Sequence, residues 1–588
     1  PATLDLAERA RLSVNALTRM LNHNSDYHPY FLVFLMADPP LMPHYAMEYN
    51  MPGIYLENLP LVRLMSGSKQ NLDVEHEIMK IFLKMRGPDG GIYWPTTGRP
   101  WTRRESDPEI DQVHLPWWHP MVGFCIYSQL DPSGPWREYA MSEAERIKQD
   151  LKQRLDAYRA EPNSETARPH LPFLSAGPRA VIELFHYGQA MDDAEAIEIA
   201  RRKLRHTLFE TNWYGDDGTF LGDWQNTPQG QPGGPGSFAH FPGRSASIYY
   251  GLKLFGNEDK QLLDFAHKAY NYAISQGEPL TGYFPEATFI PPRGREALPP
   301  GILYNGISET TMELCGLVCM IQMVIEFSKL GIDKWDLADR WIRNQLAESQ
   351  LTQTSWFTDG HMDFSQCQWQ DRVTQLVEKG GATTDRVAER CIGNFSGYAC
   401  ANDYVGAPGM IITNQNCCSA AGPRALFYAW KEMLTYGEGR LRVHLLLNRA
   451  SKWADIDSHI PYTGRVDVRA KQDLDLELRL PEWVKPEESR CEVDGRARKL
   501  TFDGRYAIVG GIRKGQTAIL NFPIVERTDR IRVQGRDYTI IRRGNEVVWI
   551  DPPGKYVPHY QQRGHYRTGK TLYRKVTRFI PEHTFDWW

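Results

Sequence analysis

"NQNCCSAAGPRALFYAWKEMLTYGEGRLRVHLLLN" runs from Asn414 to Asn448, and within it the spacing of the apolar residues changes. "PRALFYAWKEMLTY" has the three-to-four-residue spacing of an amphipathic helix. "RLRVHLLLN" alternates in the manner of a strand. The chain therefore divides near Gly437. The same stretch opens on two adjacent cysteines, Cys417 and Cys418, just before the helix. Neighbouring cysteines are poor disulfide partners, because the bridge needs more separation between its Cα atoms. Side by side they suit a soft metal, a reactive thiolate, or neither.

Upstream of Gly437 the chain reads as a series of helices joined by turns and long loops. "LDLAERARLSVNALTRML", "LDVEHEIMKIFLKM", "AEAIEIARRKLRHTLFE", "KQLLDFAHKAYNYAIS" and "MELCGLVCMIQMVIEFSKLG" all have helical spacing. Short turns such as "MDDAE" and "GNEDK" join neighbours, and consecutive helical hairpins of this kind suit a bundle or an α/α toroid. The loops between them are rich in Gly, Pro, Trp and Tyr, as in "HLPWWHP" and "GEPLTGYFPEATFIPPRGREALPPGILYNG". Loops this long are often functional. Downstream, "GRVDVRA", "LDLELRLP", "SRCEVDG" and "QTAILNFPIVERT" are short strands with tight turns, which reads as an antiparallel β-sandwich over about 440–553. The expected organisation is a helical catalytic domain over 1–437 and a β-sandwich domain over 438–588. The second domain ends in a basic, aromatic tail, "GHYRTGKTLYRKVTRFIPEHTFDWW", that either folds back on the body or adds a strand.

With 588 residues, 41% of them hydrophobic, the chain can bury a large core. Basic and acidic residues number 68 and 72, a balance that argues for neither nucleic acid nor a membrane surface as partner. No apolar run is long enough to span a bilayer. Nine irregularly spaced cysteines do not form a small secreted disulfide framework. The N-terminus is charged and helical, unlike a signal peptide, yet it lacks an initiating Met, which leaves room for a removed leader. The compartment stays open, with cytoplasm or periplasm favoured over disulfide-bonded secretion.

A second thiol-bearing segment is "SETTMELCGLVCMIQMV". Glu313 and Cys315 are two apart and point to different sides of a regular helix, so they share a ligand only at a helix start. Cys319 then faces the helical core. Should Glu313 and Cys315 meet Cys417 and Cys418, one carboxylate and three thiols would make a tetrahedral zinc site. The alternative is ordinary core packing.

These motifs resemble glycoside hydrolase family 127, the β-L-arabinofuranosidase family. Its signature is a Glu-x-Cys at a helix start, then a Cys-Cys pair much later, followed by a helix and strands. Here "ELC" spans Glu313–Cys315 and "NCC" spans Asn416–Cys418. "RALFYAWKEMLTYGEGRLRVHLLLNRASKW" is similar to the family's continuation, and "LELRLPEWVKP", "CEVDG", "DGRYAIV" and "KGQTAILNFP" follow in the same order. The resemblance covers roughly residues 180 to 550. It implies an (α/α)6 barrel followed by an antiparallel β-sandwich. It also implies a Zn2+ ion on Glu313, Cys315, Cys417 and Cys418, with Cys417 as the nucleophile of a retaining glycosidase. The family's acid/base glutamate is matched by Glu296 in "RGREALPP", with Glu286 and Glu309 as rivals. His240 and Arg244 in "HFPGRSAS" match residues near the family's substrate. Trp117, beside Trp118 and His119, is a candidate sugar platform. Where the family often has a third cysteine two before the pair, this chain has Gln415.

The leading expectation is a zinc-dependent retaining exo-glycoside hydrolase acting on plant or algal oligosaccharides. One alternative is a carbohydrate lyase or dehydratase acting on acidic, uronic oligosaccharides. Another is a non-catalytic glycan-binding protein whose thiols brace the barrel. The expected partner is an oligosaccharide, and the sequence leaves monomer and homodimer both open.

Overall fold

Two kinds of helix build the N-terminal part, and their composition decides where each sits. The computed structural model describes residues 1–44, 51–95, 112–114, 120–160, 179–211, 213–221, 238–289, 312–357, 380–405, 413–533 and 535–588, with positions 374, 377 and 378. The first kind is amphipathic, and several of its members are capped. Helix α1 (Leu6–Arg19) starts at Asp5, whose carboxylate accepts from Ala7 N–H at 3.0 Å. The second kind is buried nearly all round, as in α2 (Met51–Ser66). A helix without a polar face must be surrounded by other helices.

The other described α-helices of seven residues or more repeat the two kinds. They are α3 (Leu72–Lys84), α4 (Pro120–Leu130), α5 (Trp136–Ala160), α6 (Arg179–Met191), α7 (Ala194–Arg205), α8 (Phe241–Phe255), α9 (Lys260–Ser275), α10 (Leu314–Lys329), α11 (Trp335–Trp341) and α12 (Asn416–Glu432). The turns "MDDAE" and "GNEDK" end on caps. Asp193 accepts from Ala196 N–H and Asp259 from Leu262 N–H, both at 3.0 Å. The buried helices α2, α4, α6, α8, α10 and α12 pack each against the next, and α12 returns to α2. The amphipathic helices lie outside them: α1 on α2 and α12, α5 on α4 and α6, α7 on α6 and α8, α9 on α8, and α11 on α10.

From Leu434 onward the chain is strand-rich. Strands Leu434–Gly437, Arg440–Val443, Leu474–Arg479, Tyr506–Ile512 and Thr501–Asp503 form one sheet in that spatial order. Arg449–Ala450, Ala454–Ser458, Arg465–Ala470, Thr517–Asn521, Arg490–Val493 and Arg496–Arg498 form a second. Alternation such as that of Arg465–Ala470 buries one side chain in two. A third, three-stranded sheet joins Glu526–Val533, Arg536–Arg543 and Glu546–Asp551. The tail adds no strand and folds back. Leu572 accepts from Ala2 N–H at 2.8 Å, and Arg578 meets Asp5 at 3.1 Å and Asp457 at 2.8 Å. Trp588 is buried, stacks on His186 and donates its indole N–H to Glu57 at 3.2 Å. Among the described residues no helix is long and apolar enough to cross a membrane.

Buried charge ties helices to sheets. The Arg343 guanidinium meets Asp339 at 2.8 Å and Glu546 at 3.3 Å, and donates to Leu446 C=O at 2.7 Å. Glu546 also meets Arg563 at 3.3 Å, and Arg563 meets Glu348 at 2.6 Å. Removing Glu546 takes from each buried guanidinium one of its two carboxylates, leaving Arg343 with Asp339 and Arg563 with Glu348. Glu546→Ala is therefore expected to lower stability by about 3 kcal/mol, read as a shift in the urea unfolding midpoint. A loss below about 1 kcal/mol, the size of an exposed pair, contradicts the assignment.

Candidate metal and thiol site

Glu313 occupies the position before the first turn of α10, with extended backbone (φ -108°, ψ 126°). This is the helix start that a Glu-x-Cys pair needs to aim both side chains at one point. Cys417 and Cys418 lie in the first turn of α12, after Gln415 at its cap. Asn416 fixes that start. Its side chain donates to Tyr30 C=O at 2.7 Å and accepts from Tyr55 O–H at 2.6 Å. Its N–H donates to Phe31 C=O at 2.8 Å, beside the pairing of β1 (Leu32–Val33) with Asn414–Gln415.

Backbone pairing brings the other walls together. Strand β2 (Phe238–His240) pairs antiparallel with β3 (Ala287–Phe289), placing His240 opposite Ala287. Phe241 N–H donates to Glu286 C=O at 2.8 Å, and Pro285 bridges Met312. Leu314 N–H donates to Gly397 C=O at 3.3 Å, Met312 N–H to Ala399 C=O at 3.2 Å, and Gly397 N–H to Thr413 C=O at 3.1 Å. A Cβ on Gly397 would lie 2.9 Å from the Gln415 nitrogen, so only glycine permits this approach.

The result is a compact donor set. One ligand atom each from Glu313, Cys315, Cys417 and Cys418 lies within 4.8 Å of all the others. Cys315 and Cys418 sulfurs are 3.6 Å apart, Cys417 and Cys418 sulfurs 3.9 Å, and Cys418 Sγ is 3.7 Å from Glu313 Oε1. These are not disulfide distances. A tetrahedral metal with bonds of about 2.3 Å to sulfur separates its sulfurs by about 3.8 Å. The donors thus fit a soft divalent cation. Fully ionised, they would gather four negative charges in a buried site, which needs positive compensation.

The thiols are not equivalent. Cys418 is buried, while Cys315 and Cys417 keep partial exposure. Hydrogen bonds from Cys315 and Cys418 hold the Cys417 thiol well below its ordinary range, and the α12 N-terminus favours the same charge. Hydrogen bonds within the trio push Cys315 and Cys418 up. Cys319, one turn further along α10, is pushed up to about 12 by burial.

His240 completes the near wall, its Nε2 lying 2.8 Å from Glu313 Oε2. That contact fixes the carboxylate with its other oxygen toward Cys418. Arg244 lies deeper. It is buried, donates to Leu221 C=O at 3.0 Å and sits 3.7 Å above the Trp213 ring. These contacts anchor the start of α8 beneath His240. Trp117, Glu296 and Glu309 lie outside the described residues. Sequence reasoning missed Tyr398 and Asn416; Glu286, a rival of Glu296 there, is buried. Tyr398 is buried within electrostatic reach of Glu286, Glu313, Cys417 and Cys418. The glycine before Tyr398 was the available signal.

The donor geometry predicts one-to-one metal uptake. Titrating the reduced, metal-stripped chain with cobalt(II) should raise a sulfur-to-metal charge-transfer band that saturates at one equivalent. Cys418→Ser should weaken binding by at least about tenfold. Uptake that does not saturate, or that ignores Cys418, contradicts the site.

Neither models of protein families nor curated proteins give a match to this chain. Solved structures do. The fold is similar to that of a β-arabinofuranosidase of glycoside hydrolase family 127, with a TM-score of 0.55 at 13% identity, covering 92% of this chain and 80% of that one. A family 127 β-L-arabinofuranosidase from Geobacillus stearothermophilus T6 gives a TM-score of 0.51 at 13% identity, with the same coverage. A protein described as a glycoside hydrolase gives 0.53 at 12% identity, covering 90% and 84%. The chain therefore shares its fold with β-L-arabinofuranosidases of glycoside hydrolase family 127, as a distant structural relative of them.

Proposed function

We propose that the chain is a retaining exo-glycoside hydrolase that removes β-L-arabinofuranosyl or closely related sugars from plant or algal oligosaccharides, using Cys417 as nucleophile. On this reading the closed succession of helices is an (α/α)6 toroid that forms a catalytic domain over 1–437. The region 438–588 is then a β-sandwich domain with its tail. The observation that carries the reading is the convergence of Glu313, Cys315, Cys417 and Cys418 within 4.8 Å at the starts of two buried helices. The shared fold supports the glycosidase class.

Zinc is the cation this donor set suits, and when bound it supplies the positive charge that keeps the thiols ionised. Glu313, Cys315, Cys417 and Cys418 would hold it, and His240 orients Glu313 through the carboxylate oxygen turned away from Cys418. Cys417 combines the lowest thiol pKa of the trio with partial exposure, the two properties a nucleophile needs. Attack by its sulfur on the anomeric carbon, followed by attack of water on the same carbon, inverts twice and so retains configuration. We assign His240, whose side chain is more than a third exposed beside Glu313, a contact to the sugar. The resemblance implies a place near the sugar for Arg244, which on this reading acts through the start of α8, and Trp117 is kept as a sugar platform for its aromatic face.

A 4-nitrophenyl β-L-arabinofuranoside tests this directly. Proton NMR of the first-formed product should show retained configuration. Cys417→Ser should lower kcat/KM by at least about a thousandfold with the fold intact. Near-normal activity in that variant contradicts the thiolate mechanism.

A further inference from the structure

The strand-rich part carries a cleft that the thiol site does not account for. The first of its two larger sheets ends at the edge strand Thr501–Asp503, and the second ends at Arg496–Arg498. On the first edge, Phe502 stands opposite Ala507, which in turn stands opposite Leu478. Ala507 and Leu478 are fully buried, so the Phe502 ring lies on the buried face of its sheet. Phe502 is nevertheless 41% exposed, and the second sheet does not cover it. On the second edge, Arg498 stands opposite Cys491 and Arg496 opposite Val493, and both partners are buried. Inward-pointing charge on an edge strand is a common guard against aggregation. That accounts for the arginines but not for an uncovered phenyl ring beside them.

Between the two edges is a cleft of about 440 Å³, a volume typical of ligand sites. Phe502 and Leu500 supply its apolar surface, and Arg490, Arg498 and Lys499 supply cations. Two of the cations are held in place. Arg490 donates to the carbonyls of Glu487 at 2.6 Å and Ser489 at 2.8 Å, and Arg498 donates across to Gly511 C=O of the first sheet at 3.4 Å. Glu487 and Glu492 add two carboxylates. We propose that this cleft binds an acidic oligosaccharide, one that contains uronate rings, and so anchors the chain to the polymer that the thiol site trims. The choice of a sugar rests on the hydrolase reading above, and the choice of an acidic one on the three cations. A ring face stacks on Phe502, a ring carboxylate pairs with Lys499 or Arg498, and hydroxyls donate to Glu487 and Glu492. Other polymers suit the cleft less well. A peptide that adds as a strand needs a longer edge than the three residues that each strand offers. A nucleic acid brings a phosphate with every nucleotide, and the two carboxylates of the lining oppose it.

The test is isothermal titration calorimetry of the full chain with trigalacturonate, with neutral arabinotriose and with hexaglutamate. Trigalacturonate should bind with one-to-one stoichiometry, and added salt should weaken it. Phe502→Ala should weaken that binding by about tenfold, and Lys499→Glu by at least about tenfold. Lys514→Glu, an exposed change on the same part of the chain but outside the cleft, should leave it unaltered. Cys417→Ser should also bind as the wild type does, which places the event away from the thiol site. Arabinotriose and hexaglutamate should each bind at least about tenfold more weakly than trigalacturonate. The proposal is overturned if both cleft variants bind trigalacturonate as the wild type does, if Cys417→Ser abolishes binding, if either control ligand binds as tightly, or if no ligand binds. Turnover of the nitrophenyl glycoside is measured separately and is expected to be unchanged in Phe502→Ala and Lys499→Glu. A failure of the cleft therefore leaves the hydrolase reading standing, and a wild type that binds trigalacturonate but cleaves no glycoside overturns that reading alone.

Discussion

Everything at the site depends on backbone pairing between helix starts. The residues before α8, α10 and α12 are extended, and they are held by bonds to one another or to strand-like segments beside them. Phe241 pairs with Glu286, Met312 with Ala399, Leu314 with Gly397, and Asn416 with Phe31. Helix N-termini carry unsatisfied N–H groups and partial positive charge. Gathering several at one end gives a place where anionic thiols and carboxylates are tolerated. The opposite end of the same helices is closed by different chemistry. Tyr428 O–H donates to Glu326, Lys329 meets Glu432 at 3.4 Å, and Trp588 fills the space beside His186 and Phe427.

Charge accounts for the choice of residues at the open end. Three thiols and a carboxylate within bonding reach of one point would repel if ionised without a cation, and the hydrogen bonds among the thiols distribute protons unequally. Cys417 becomes the easiest to ionise, while Cys315 and Cys418 are both pushed up. A divalent cation removes that conflict. The sulfurs already stand at separations a tetrahedral metal imposes, so little reorganisation accompanies binding. His240 fixes Glu313 from outside the donor set, in the way outer-shell groups commonly orient metal ligands.

Much of this was legible because it is local. A Glu-x-Cys pair can converge only at a helix start, and Glu313 does precede α10. The change of period near Gly437 coincides with a helix that ends at Glu432 and a strand that begins at Leu434. What was not legible is tertiary. Cys315 and Cys418 are 103 residues apart, and spacing alone says nothing of contact between them. Glu286 in "GYFPE" reads as a solvated loop carboxyl until the pairing of β2 with β3 buries it. The tail is basic with scattered aromatics and no alternation, so composition left its course open. Ion pairs to Asp5 and Asp457, with one buried indole, decide it.

The central claim is that four side chains from two distant segments hold one zinc ion where the sugar is attacked. Anomalous diffraction from crystals of the untagged protein, collected on either side of the zinc absorption edge, tests it most directly. The account predicts a single strong peak about 2.3 Å from the sulfurs of Cys315, Cys417 and Cys418 and about 2.0 Å from a Glu313 oxygen. A zinc peak elsewhere, or a different metal at that point, would contradict it.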